Sequence, residues 1–229
     1  MPLPALLLAL ALAAPAGSAA QTATPAPADS SLEALYASGV PFDRFLADAT
    51  ARRAAWVKNW ESSEVPPEVL AMARGLEGRW RLLVIAVDGC SDSVNTIPYL
   101  ARLVSLAPRI ELRIVSPTAG RAVMEAHQTP DGRPATPTVL ILDAAGNAVG
   151  AWVERPSLLQ QMALDARAAG TLNRMLNGKQ AWYDADAGAS TLREVVDLVA
   201  LAARSAAPSG APSGAPSASR PLPSPAGLR

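Results

Sequence analysis

The chain has 229 residues, 20 basic and 20 acidic side chains and no net formal charge; half of its residues are hydrophobic and 17% are charged. That size and composition provide for one buried core with appendages. Nucleic acid and acidic membrane surfaces are excluded as main partners, because both call for a basic face and the chain has no run of like charge and no basic stripe with interleaved aromatics.

Residues 1–20, "MPLPALLLALALAAPAGSAA", read as a signal peptide. Leu6 to Ala14 form an apolar stretch too short to span a bilayer, and Ser18, Ala19 and Ala20 supply small residues for cleavage before Gln21. The segment carries no Lys or Arg, so a disordered Ala/Leu-rich extension or a misassigned start codon is the alternative. No cysteine lies near the cleavage position. The expectation is a periplasmic or secreted protein with no stable membrane anchor. Residues 21–30 form a Pro/Ala/Thr linker, and residues 206–229 repeat Ala-Pro-Ser-Gly. Neither composition offsets the entropy of ordering, so both are expected to be disordered.

The folded body is expected over 31–205, a helical extension over 31–78 and an α/β domain over 79–205. Pro41 to Ser62 carries one helical stripe of Phe42, Leu46, Ala49, Trp56 and Trp60, read as core packing rather than a ligand platform. Pro66 and Pro67 open a second helix through about Arg74, which Gly75 and Gly78 end. "RLLVIAVD" (Arg81 to Asp88) is continuous and β-branched, as a strand buried on both faces should be. A helix begins after Cys90; Val94 to Ala107 carries its pattern and Pro108 stops it. "IELRIV" (Ile110 to Val115) is a second strand, "AGRAVMEAH" a short helix, and "TVLILD" (Thr138 to Asp143) a third strand. "AAGN" turns that strand into "AVGAWV". Helices over Ser157 to Ala169, about Thr171 to Tyr183, and Thr191 to Arg204 close the body. The strand–helix–strand units predict parallel pairing, with the hairpin adding two strands antiparallel to them, in a small mixed sheet flanked by helices on both faces.

Cys90 is the only cysteine. An intramolecular disulfide is therefore excluded, as are zinc and iron–sulfur sites built from cysteine, and no metal or cofactor is expected. Pro98 falls eight residues beyond Cys90, and "ATPTVLILD" places Thr136-Pro137-Thr138 just before the third strand. This order, with its cysteine, helix proline and pre-strand proline, resembles the thioredoxin-like superfamily. "GCSDS", "AAGNAVG" and "AWVERP" look more closely like a bacterial branch with W-C-G-D in place of the two-cysteine motif, a monothiol C-x-D-x pattern. The resemblance implies a thioredoxin-like fold, a cis bond at Pro137, and Thr136 backbone that pairs with an extended peptide or glutathione beside the cysteine. Ser93 stands at the second cysteine's position, Gly89 at the tryptophan's and Val84 at that of a buried aspartate. Dithiol thioredoxin chemistry is thereby excluded. Val87 stands where a peroxidatic site keeps threonine, which argues against peroxide reduction.

A cysteine at a helix N-terminus faces unsatisfied N–H groups and the positive end of the helix dipole, which favour thiolate, the nucleophilic form. Asp92, two residues on, opposes this by repulsion. Asp92 and Ser93 also have a plain account as first-turn residues, and Ser93 has a second one as a hydrogen-bond donor to a thiolate or a mixed disulfide. His127 is read as a surface residue, Trp152 as core, Arg155-Pro156 as fixing the start of the next helix, and Asp184 and Asp186 as no metal loop. Two functions remain open. One is monothiol exchange or mixed-disulfide formation by Cys90 with a protein or small-molecule thiol or disulfide. The other is a non-catalytic binding module that uses the groove at Thr136-Pro137.

Overall fold

The computed structural model describes residues 30–206. The expected signal peptide lies outside the described residues, as do the linker up to residue 29 and the tail from residue 207. Ser30 and Ala206, expected in the linker and the tail, are helical.

The elements in order are α1 (Ser30–Ser38), α2 (Phe42–Asp48), α3 (Arg53–Glu61), α4 (Pro67–Gly75), β1 (Trp80–Ile85), α5 (Ser91–Leu106), β2 (Ile110–Val115), α6 (Arg121–Ala126), β3 (Thr138–Leu142), β4 (Ala148–Val153), α7 (Ser157–Ala168), α8 (Leu172–Asp186) and α9 (Ala189–Ala206). The four strands form one sheet in the order β2-β1-β3-β4. β1 pairs parallel with β2, in register from Trp80 with Ile110 to Ile85 with Val115. β3 is antiparallel to β1, and β4 antiparallel to β3. Only β3 therefore opposes the parallel pair. The hairpin reverses the chain a second time, so β4 runs with β1, which corrects the expectation of two opposed strands.

Side chains alternate across the sheet. Leu82 and Val84 of β1 face a large core with Val139, Ile141 and Trp152, covered by α3, α4, α5 and α9. Leu83 and Ile85 face the other way, with Leu140 and Leu142, under Tyr36 of α1 and Val123 of α6. Every residue of β3 is buried, which is why its sequence runs apolar without a break from Val139 to Leu142.

The stripe over 41–62 is two helices, not one. Arg52 adopts a left-handed φ of 53° between α2 and α3. The break has a donor-and-acceptor cause: the amides of Thr50 and Ala51 both donate to the Asp88 carboxylate at 2.8 Å, and Arg52 Nε donates to the Gly89 carbonyl at 2.8 Å. Those two amides, chiefly that of Ala51, hold the Asp88 carboxyl below its ordinary range. The Trp56 indole closes the clamp on the Asp88 carbonyl at 2.9 Å. The extension is thus tied to the loop that leads into Cys90.

α5 accommodates Pro98 in its interior. Proline removes the amide that would bond the carbonyl four residues back. That carbonyl, Val94, instead accepts from Asn59 Nδ2 of α3 at 2.8 Å.

Candidate thiol site

Cys90 is the N-cap of α5, in extended conformation with φ −76° and ψ 125°. The helix starts at Ser91, directly after Cys90 as expected and three residues before the apolar pattern at Val94, because an N-cap need only supply an acceptor. Here the acceptor is sulfur: the Ser93 amide donates to Cys90 Sγ at 3.5 Å. The thiol in turn donates to the Thr136 carbonyl at 3.2 Å. Cys90 and Thr136 are half-buried, and Pro137 is buried. The Thr136–Pro137 bond is cis. The Pro137 carbonyl accepts from the Glu154 amide at 2.7 Å, and Thr138 Oγ1 donates to Ala135 at 2.7 Å, so β4 and β3 fix the loop that faces the sulfur. Sulfur and prolyl loop meet at one end of the sheet.

Asp92 lies elsewhere than its proximity in sequence suggests. It is 5% exposed. Its carboxylate accepts from Lys179 Nζ at 2.6 Å, the Tyr183 hydroxyl at 2.7 Å and Arg155 at 3.4 Å. The anion expected to repel the thiolate is thus held by two cations and a phenol. Burial first, then the negative charge of Asp92, pushes the Tyr183 hydroxyl far above its ordinary value, so it stays a donor. Arg155 is itself buried and also pairs with Glu154, a position that fixing the start of α7 does not account for. Trp152 is core as expected, with its indole donating to Glu194 at 2.7 Å. Ser93 is fully buried and its hydroxyl has no partner among the described residues, which leaves an unspent donor one turn along the helix from Cys90.

The residues whose part in the site the sequence does not disclose are Lys179, Gln180 and Tyr183, all on α8. Gln180 exchanges hydrogen bonds with Asn95 of α5 at 3.1 Å in both directions. Lys179 and Tyr183 are four residues apart and share one helix face. That spacing was the available signal, and an acid at a buried helix start was its complement.

The loop before Thr136 is held by a second ionic cluster. Asp131 pairs with Arg133 at 2.9 Å and with Arg167 of α7 at 3.0 Å, and Arg133 reaches Glu154 at 3.2 Å. Hydrogen bonding to Arg133 holds the Asp131 carboxyl down to about 2. A carboxyl depressed on folding adds stability above its unfolded value, and loses it as pH falls through the folded one. The stability that Asp131 contributes is therefore expected to be intact at pH 5 and lost between about pH 4 and pH 2. Urea unfolding across that range checks this: Asp131→Asn should be less stable than the parent at pH 5, with the difference closing by pH 2.

Among the described residues no group of three His, Cys, Asp or Glu side chains is placed to hold a metal ion.

A parallel β-α-β unit, an antiparallel hairpin, a cysteine capping the helix after the first strand and a cis-proline facing it define a thioredoxin-like fold. A family model described as thioredoxin matches residues 39–169, more than half of the chain, and the chain belongs to that family. No curated protein matches it. Among solved structures, it is similar to a protein of unknown function from Pseudomonas aeruginosa, with 28% identity and a TM-score of 0.58 over 74% of this chain and 96% of that one. It is also similar to an HIV epitope scaffold, with 26% identity and a TM-score of 0.54 over 73% of this chain and 96% of the scaffold.

Proposed function

We propose that this is an exported, periplasmic or secreted, monothiol member of the thioredoxin family, in which Cys90 exchanges with external disulfides through a mixed disulfide. The observation that carries the proposal is the half-buried Cys90 sulfur, bonded to the Thr136 carbonyl at the cis-Pro137 loop in a chain with no second thiol. In the exchange, the Cys90 proton passes to solvent and the thiolate attacks one sulfur of a partner disulfide. The new S–S bond forms at Cys90 as the old one breaks, and the electron pair departs on the partner's other sulfur. A second, external thiol reverses the bond, because Ser93 offers no thiolate to do so. The Thr136 backbone beside the sulfur suits an extended peptide or a small thiol. The C-x-D-x pattern of Cys90 and Asp92 agrees with a monothiol branch, and the signal-like segment at 1–20 with export. Among the described residues no helix is long and apolar enough to cross a membrane.

The test measures the rate of Cys90 with a disulfide probe against pH, beside Cys90→Ser. The expected result is one mixed disulfide per chain, formed faster than on a cysteine in a model peptide, and none in a folded Cys90→Ser protein. A rate no greater than the peptide's, with partner capture retained in Cys90→Ser, replaces exchange by the binding-module reading.

A further inference from the structure

We infer that a cavity behind the cis-proline loop is a binding site for one small oxyanion, of the phosphate, sulfate or carboxylate kind. The cavity, about 110 Å³, lies between the loop at 129–133, the end of β4 and helices α7 and α8, with Asp131, Arg133, Glu154, Arg155, Gln160 and Arg167 on its polar wall. Arg155 and Gln160 are each 6% exposed. Among the described residues, Arg155 Nε and Gln160 Oε1 have no hydrogen-bond partner. Leaving a buried polar atom unbonded is costly, so two such atoms on residues that line one cavity point to an occupant.

Charge selects its kind. Asp131 is held by Arg133 and Arg167, and Glu154 by Arg133 and Arg155. Three guanidinium groups thus meet two carboxylates. Asp92 also draws on Arg155 but is balanced by Lys179. The wall keeps one positive charge in excess. Water carries no charge to balance that excess. The free Arg155 N–H suits an oxyanion, and the Gln160 amide, turned over, presents its NH₂ to the same guest. A cavity of this size suits a small anion.

The site would couple to the thiol without resting on its reactivity. Arg155 joins it to Asp92 in the first turn of α5, and the Glu154 amide holds Pro137. The test is therefore run on the full chain and repeated in Cys90→Ser, so that failure of the exchange reading leaves this one standing. Thermal unfolding and calorimetric titration are followed with sodium phosphate and with sodium acetate, against sodium chloride at equal ionic strength. Saturable one-to-one binding of either anion is expected, the tighter of the two giving the class, with affinity at least tenfold weaker in Gln160→Leu and in Arg167→Gln. Arg167 is half-exposed and carries the test if Gln160→Leu does not fold. No saturable effect beyond chloride, or one that the folded variants keep, overturns the inference.

Discussion

Asp92→Ala is expected to lower the unfolding free energy by about 3–5 kcal/mol, the usual consequence of removing one partner from a buried ionic group. The loss comes mainly from what remains. Lys179 and Arg155 have side chains 11% and 5% exposed, and without Asp92 their charges repel across a site with too little water to screen them. Arg155 keeps Glu154, but among the described residues Lys179 keeps no carboxylate and the Tyr183 hydroxyl keeps no acceptor. For a domain of this length the change corresponds to roughly 6–20 °C in Tm. Urea unfolding measures the loss, and Asp92→Leu combined with Lys179→Met separates its causes. If uncompensated charge dominates, the double variant recovers most of the stability, since apolar replacements of a buried pair are often neutral. A loss below about 1 kcal/mol in Asp92→Ala would mean that water reaches the cluster, as at an exposed ion pair, and that α8 is not fastened to the thiol helix through it.

How far the sequence discloses this arrangement depends on the distance over which each contact acts. β1 and β3 are legible because burial on both faces writes itself as an unbroken apolar run. The junction at Cys90 and the facing Pro137 are legible through the resemblance to the thioredoxin-like superfamily, which implies a cis-proline loop beside the cysteine. The break between α2 and α3 is not. The local pattern favours one helix, and the bonds that interrupt it come from Asp88, 37 and 38 residues away. Asp92 is the sharper case. In the first turn of a helix it satisfies every local rule, so nothing nearby signals burial, and its partners lie 63 to 91 residues downstream. The direction of β4 follows from counting two chain reversals, a step that residue pattern does not supply.

The turn that returns the chain from α8 to α9 gives the second large effect, and it comes with a built-in opposite. Gly188 is buried with φ +78°, and a Cβ there would stand 2.2 Å from Cγ of Tyr99, a ring of α5 that is 7% exposed. Gly188→Ala therefore meets two penalties, about 1–2 kcal/mol for a left-handed alanine and about 1–3 kcal/mol for overpacking against a ring with nowhere to move. A loss of about 2–5 kcal/mol is expected in urea unfolding. Ten residues earlier, Gly178 lies inside α8 with nothing within 4 Å of its would-be Cβ. Gly178→Ala should gain about 0.5–1 kcal/mol from the smaller conformational freedom of the unfolded chain. The two substitutions are chemically identical, so opposite signs can come only from where the backbone sits. Tyr99 belongs to the same helix as Asp92, and α8 meets that helix at both places: the turn is seated on Tyr99 while Lys179 and Tyr183 grip Asp92. A neutral Gly188→Ala would unseat the turn from that ring. The contacts of α8 with Asp92 and Asn95 would then have to hold it over the thiol helix.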